Sequence, residues 1–169
     1  MSDVTTPGQA GRQDTPSRTG RPTRQARMMR AVNVPMRVIL GLPFPTPLSR
    51  NLMLLRYTGR RTGKAYRQPL SYARDGAALL TPGGGKWTLS LGDGKPVRLR
   101  LRGKDVSARP EVIADPAEVD RLFGVIARGN PQAARFVPIP RDADGHFAAE
   151  PLALAIQHGF CVVRWHLDD

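Results

Sequence analysis

The sequence predicts a mainly β fold with helices, a small antiparallel barrel carrying an N-terminal helix and peripheral helices. Short apolar segments with a period-two pattern recur between residues 52 and 113 and again at the C-terminus. The breaks between them hold Gly, Asp and Pro, and the helix-period stretches stand outside the β-rich middle. Strands in hairpin order with helices at the flanks close most simply as a small antiparallel barrel.

The elements follow in order. Residues 24–42 place Met28, Met29, Val32, Met36, Val38, Ile39 and Leu40 among Arg27, Arg30 and Arg37, a helical apolar stripe with a basic opposite face that Pro35 should kink. The Pro-rich residues 42–47 read as an extended connector. Residues 52–58 form an apolar strand ending at Gly59, and residues 66–73 a second strand with Tyr66, Gln68, Leu70 and Tyr72 on one face. Arg74-Asp75-Gly76 is a hairpin turn leading into a strand over 77–81. Val97, Leu99 and Leu101 alternate with Arg98, Arg100 and Arg102, and residues 107–114 pair with them across a turn at Gly103-Lys104. Asp115-Pro116 opens a helix whose Val119, Leu122, Phe123 and Ile126 share one face. A second helix over 148–157 ends at Gly159, and residues 160–167 form a final strand. Five or six strands are expected in all.

Composition sets the organisation. Residues 1–25 are polar, rich in Pro and Gly, and cannot repay the entropy of ordering, so they read as a disordered basic tail. Residues 26–169 remain for a single barrel domain. No apolar run approaches the ~18 residues of a membrane span, and nothing before Met28 resembles a secretory leader. Cys161 is the one cysteine, which excludes an internal disulfide. The expected location is the cytoplasm.

The net charge of +12 is unevenly spread. Residues 56–104 hold eight Arg and four Lys against Asp75 and Asp93, whereas residues 105–169 are net acidic. A positive middle attracts phosphates, polycarboxylates, nucleic acid or acidic lipid. Within it, residues 57–64 gather Arg60, Arg61, Thr62 and Lys64 between Gly59 and Gly63, with Arg67 just beyond. Glycines let backbone N–H groups approach an anion, while Arg supplies forked donors and Lys a point charge, so this turn is a candidate phosphate or carboxylate receptor. The alternative is a basic hairpin tip without a ligand. It is no P-loop, because the glycine spacing is too short and Ala65 stands where a Mg²⁺-binding hydroxyl belongs. Residues 81–87, Thr81-Pro82-Gly83-Gly84-Gly85-Lys86-Trp87, combine three glycines with a charge and an aromatic, suiting a flat ligand or simply a turn beside a core Trp. His146, His158 and His166 have no metal-ligand spacing with Cys161, and there is no nucleophile elbow.

These segments, in order with Pro69-Leu70-Ser71-Tyr72, Arg74-Asp75-Gly76 and the Arg-rich strand, resemble the deazaflavin-dependent nitroreductase family of split β-barrel, flavin-reductase-like oxidoreductases. The resemblance covers about residues 28–113 and includes the helix leading to Leu42-Pro43-Phe44; Thr88 and Ser90 depart from the family pattern after Trp87. It implies an 8-hydroxy-5-deazaflavin coenzyme of the F420 type, with a phosphate and an oligoglutamate tail. By that match Arg60 and Arg61, in the turn shared with Thr62 and Lys64, face the phosphate. Thr81, Pro82 and Gly83 line the ring with Lys86 and Trp87. The implied reaction is hydride transfer to a small-molecule acceptor, quinone-like or nitroaromatic, with no side-chain nucleophile required. Alternatives on the same fold are an FMN- or haem-binding barrel. A non-enzymatic binder of nucleic acid or acidic membrane is a further alternative, with the helix over 24–42 the candidate for peripheral membrane contact. Nucleic acid is not expected, because Arg98, Arg100 and Arg102 alternate with aliphatic residues rather than with stacking aromatics.

Overall fold

Seven antiparallel strands pair in the order β2-β1-β5-β6-β7-β4-β3 in the computed structural model, which describes residues 50–168. They are β1 (Leu52–Thr58), β2 (Ala65–Ser71), β3 (Ala73–Asp75), β4 (Ala78–Gly83), β5 (Val97–Leu101), β6 (Lys104–Ile113) and β7 (Cys161–Leu167). Helix α1 (Pro116–Gly129), the short α2 (Pro131–Arg135) and α3 (Ala149–Gln157) lie between β6 and β7, and a 3₁₀ turn spans Thr88–Leu91. The tail, the helix over 24–42 and the connector over 42–47 lie outside the described residues.

The sheet curls into a barrel because its two edges are halves of one chain segment. β2 and β3 are separated by Tyr72 alone, yet β2 pairs with β1 and β3 with β4, at opposite ends of the strand order. Alternation then sorts the side chains by face. Met53, Leu55, Leu70, Tyr72, Leu79, Leu99, Leu101, Val163 and Trp165 fill the inside. Leu80, Ile113 and Val162 face outward and are covered by Val119, Leu122, Phe123 and Ile126 of α1, the four residues the helical periodicity singles out. Asp115 caps α1 by accepting from the Glu118 N–H at 2.9 Å, and Pro116 follows at the first helical position.

Three expectations are corrected. The strand expected over 66–73 breaks at Tyr72. The β3–β4 register pairs Ala73 with Leu80 and Asp75 with Ala78, so its continuation would set Ser71 against Pro82 and Leu70 against Gly83. Those pairs do not form; β4 pairs onward with β7, with Gly83 opposite Cys161, and β2 with β1. The barrel is therefore split between β2 and β4. Second, the β5–β6 turn falls at Arg102-Gly103, both at positive φ (49° and 80°), and β6 starts at Lys104 rather than at residue 107. Third, there are seven strands rather than five or six, because the break at Tyr72 counts twice.

Asn130 holds the break open. It is buried, with 1% of its surface exposed, and its side-chain amide donates to the carbonyls of Tyr72 at 3.0 Å and Asn51 at 3.3 Å. Its Oδ1 accepts from the Ala133 N–H, capping α2, while the Tyr72 N–H donates to the Asn51 carbonyl. One residue thus satisfies backbone groups that a continuous hairpin would have paired.

Candidate functional site

Where β2 and β4 part, a cleft of about 660 Å3 opens. Leu70 and Ser71 line it from β2, Pro82 and Gly83 from the end of β4, and Gly84 and Trp87 from the loop beyond. The opposite wall comes from α2 and the segment after it, with Phe136, Val137 and Ile139, and from the end of α3, with His158 and Phe160. The lining is apolar apart from Ser71, Trp87 and His158, and Phe136 stands 83% exposed at the cleft. This volume and chemistry suit a flat, drug-sized ligand.

Trp87 also packs toward the barrel interior, nearly parallel to Trp165 with ring centroids 6.4 Å apart. Trp165 is fully buried and donates from Nε1 to Thr81 Oγ1 at 3.0 Å. Thr81 therefore sits on the inner face of β4 with its hydroxyl engaged by Trp165, while Pro82 and Gly83 border the cleft. Gly83 has no room for a side chain, since a Cβ there would lie 2.7 Å from Cys161 Sγ. Burial pushes the Cys161 thiol up to about 11, against the opposing effect of a hydrogen bond with Thr88.

The basic turn caps the β1–β2 hairpin. Gly59 N–H donates to the Lys64 carbonyl and Gly63 N–H to the Gly59 carbonyl, both at 2.8 Å. Gly63 takes positive φ, and Thr62 Oγ1 accepts from the Lys64 N–H and hydrogen-bonds Tyr66 Oη. Tyr66 stacks on Tyr57 at 5.4 Å. The Thr62 hydroxyl thus braces the turn. Arg61, Lys64 and Lys86 point no charge at any carboxylate among the described residues, whereas Arg60 lies 3.6 Å from Asp93, both being exposed.

The loop after β4 joins the two regions. Its Ser90 N–H donates to the Trp87 carbonyl at 3.0 Å, and Ser90 Oγ accepts weakly from the Arg60 N–H at 3.5 Å. Three residues of one 3₁₀ turn therefore carry the chain from the aromatic wall of the cleft to the cationic hairpin tip. Pro82, Gly83 and Trp87 border the cleft, and Arg60 touches the far end of the same loop. Arg61, Thr62 and Lys64 belong to the hairpin tip, and Lys86 is exposed beside Trp87. The Arg-rich strand belongs elsewhere. Arg98 and Arg100 sit on the outer face of β5, with Arg98 opposite Arg56, and Asp105 binds Arg100 at 2.9 Å and Arg56 at 3.4 Å. The hydrogen bond from Arg100 holds the Asp105 carboxyl below its usual range.

Sequence reasoning missed the second wall of the cleft, from Ala133 to Ile139 and from Ala155 to Phe160. These residues carry no motif of their own. The Pro-rich spacing after Asn130 marks a break but says nothing of the strand it will meet.

The histidines have hydrogen-bond partners, and the described residues contain no group of three or more His, Cys, Asp or Glu placed to hold a metal. His146 Nδ1 lies 2.6 Å from Asp120, and His166 Nε2 lies 2.9 Å from Glu111. No helix among the described residues is long and apolar enough to cross a membrane.

No family model matches the sequence. No curated protein matches it either. Among solved structures, the chain is similar to a proposed 5-nitroimidazole antibiotic resistance protein from Bacteroides thetaiotaomicron, at 13% identity over 72% of this chain and 76% of that one, with a TM-score of 0.49. It is similar to an F420-H2 dependent reductase at 13% identity over 69% of this chain and 94% of that one, with a TM-score of 0.46. It is also similar to a FAD-binding protein from Mesorhizobium loti, at 15% identity over 70% and 82% of the two chains and a TM-score of 0.46. At these identities and scores none of them bears on what this chain binds.

Proposed function

We propose that this protein is an oxidoreductase that holds a flavin-type coenzyme, in the first place an F420-type deazaflavin and in the second FMN, and reduces a small quinone-like or nitroaromatic acceptor. The observation that carries the reading is the loop from Gly83 to Asp93, which has an apolar, aromatic-walled cleft at one end and a cluster of cations at the other. A tricyclic ring with a phosphorylated side chain needs both. Gly83, Gly84 and Trp87 would hold the ring against the split with Lys86 beside it, and Arg61 and Lys64, which pair with no carboxylate among the described residues, would meet the anionic end with Arg60 beside them. When bound, the coenzyme supplies a hydride. The chain's own part is to orient the ring, to keep water from its buried face through Trp87, Phe136 and Phe160, and to bring the acceptor close.

The test is a titration of purified protein with deazaflavin, FMN and haem, followed by absorbance and fluorescence. Deazaflavin should bind most tightly, with Kd in the micromolar range, about −8 kcal/mol. Failure of all three to saturate overturns the proposal. Tighter binding of FMN would keep the oxidoreductase and change the coenzyme.

A further inference from the structure

Among the described residues lining the cleft, His158 is the one that carries an imidazole, beside the hydroxyl of Ser71 and the indole of Trp87. No other described residue lining the cleft, whether from β2, β4 and its loop, α2 and the segment after it, or α3, carries a carboxylate, amine, guanidinium or second imidazole. Among the described residues the ring makes one hydrogen bond, Nδ1 at 2.8 Å from the Leu154 carbonyl. A carbonyl can only accept, so Nδ1 carries the hydrogen. The second nitrogen, Nε2, is then a lone-pair acceptor in the neutral ring and an N–H donor in the charged one. Gly159, at φ 95°, turns the chain immediately after His158 and leads it through Phe160 into β7, which fixes the ring's anchor between a helix end and a core strand. His146 and His166 differ in kind, because each is tied to a carboxylate away from the cleft.

We propose that His158 is the proton donor for reduction in the cleft, acting through Nε2. This rests on the oxidoreductase reading given above. With a quinone as acceptor, a hydride from the reduced deazaflavin brings two electrons and one hydrogen to the quinone, leaving the coenzyme oxidised by two electrons and the product as the hydroquinone monoanion. The Nε2–H bond of charged His158 then breaks as an O–H bond forms, giving the neutral hydroquinone and neutral His158. The exposed ring regains its proton from solvent. An apolar cleft makes such a partner necessary, since an oxyanion formed there has little water to stabilise it.

The first measurement needs no coenzyme. 2,4-Dinitrophenolate, an oxyanion with a distinct absorbance that stays ionised across the neutral range, is titrated against the protein and against His158→Gln. Wild type should bind it at least fivefold more tightly than His158→Gln, with an affinity that falls as the pH rises; His158→Gln should bind it weakly and with no such fall. The second uses reduced deazaflavin and 1,4-naphthoquinone. His158→Gln should keep coenzyme Kd within about twofold of wild type, lose about a hundredfold in kcat and lose the high-pH fall in kcat, and imidazole in solution should restore part of the rate. If coenzyme binds and naphthoquinone is reduced equally by both proteins, the donor role is overturned while the oxidoreductase stands. If no coenzyme binds, the oxidoreductase reading fails. Phenolate binding that ignores both pH and the substitution overturns the role of His158 whatever the coenzyme does.

Discussion

The side-chain amide of Asn130 donates to the main-chain carbonyl of Tyr72 across 58 residues of sequence, and this contact keeps the β2–β3 segment from continuing as one strand. Because the same side chain caps α2, the split in the barrel and the wall facing it are set by one residue. Asn130→Ala should remove the amide's hydrogen bonds to the Tyr72 and Asn51 carbonyls and the cap on the Ala133 N–H, all at a buried position, lowering stability by on the order of 3 kcal/mol. Asn130→Asp should be no better, since a carboxylate would face two carbonyl oxygens. Urea unfolding checks both, and a loss under about 1 kcal/mol for Asn130→Ala would show that water replaces the amide without cost.

Arg60 and Arg61 should not contribute equally to anion binding. Arg61 makes no ion pair among the described residues, whereas Arg60 must relax its contact with Asp93. Arg61→Ala is expected to weaken deazaflavin binding by about ten- to a hundredfold, and Arg61→Lys to recover part of that by keeping charge without the fork. Asp93→Asn should tighten binding modestly by freeing Arg60. Arg100→Ala is the comparison, because Asp105 already holds that guanidinium on the outer face of the sheet. Titration at low and physiological salt separates the cases: equal losses for Arg61→Ala and Arg100→Ala would leave only a diffuse basic field.

His146 and Asp120 should couple stability to pH. The hydrogen bond and charge of Asp120 raise the His146 pKa above its ordinary 6.5. Burial pushes Asp120 upward, but the Phe147 N–H and His146 bring it net below its ordinary 3.8. A raised histidine adds stability that is complete below its unfolded value and fades as the pH rises through its folded one. A lowered carboxylate adds stability above its unfolded value and loses it as the pH falls through its folded one. The pair is therefore strongest between the two ordinary values. The stability difference between wild type and His146→Gln should shrink as the pH rises from below the ordinary 6.5 through the raised folded value. A difference that stays flat over that range would mean the contact is already screened by solvent.

Cys161 should be inert in the native protein. Its thiol is buried against Gly83 and Thr88 and raised to about 11 by that burial, so little thiolate exists at neutral pH. Labelling with a disulfide reagent should proceed at the rate of unfolding and accelerate in urea. Rapid stoichiometric labelling without denaturant would show that the floor of the cleft opens.

Local pattern alone determined much of this molecule. The alternation of Val97, Leu99 and Leu101 assigns their inner face, because period two allows only two choices and one face is apolar, and in residues 66–72 it does so for Leu70 and Tyr72, whereas Tyr66 stands exposed near the hairpin tip. The Asp115-Pro116 start and the four apolar positions of α1 were equally legible, since capping and helical spacing act within a few residues. The two glycine-bearing turns also announced themselves by composition. Tertiary structure alone decided that Tyr72 interrupts its strand, because the competing partners, Asn51 and Asn130, lie 79 residues apart and gain their effect only when the barrel closes. It also decided that Phe136, His158 and Phe160 face Leu70, Gly83 and Trp87. Phe136, His158 and Phe160 carry no motif in their own neighbourhood; they wall a cleft because antiparallel strands that fail to pair leave an unfilled gap, and the nearest apolar chain, however distant in sequence, forms its other side.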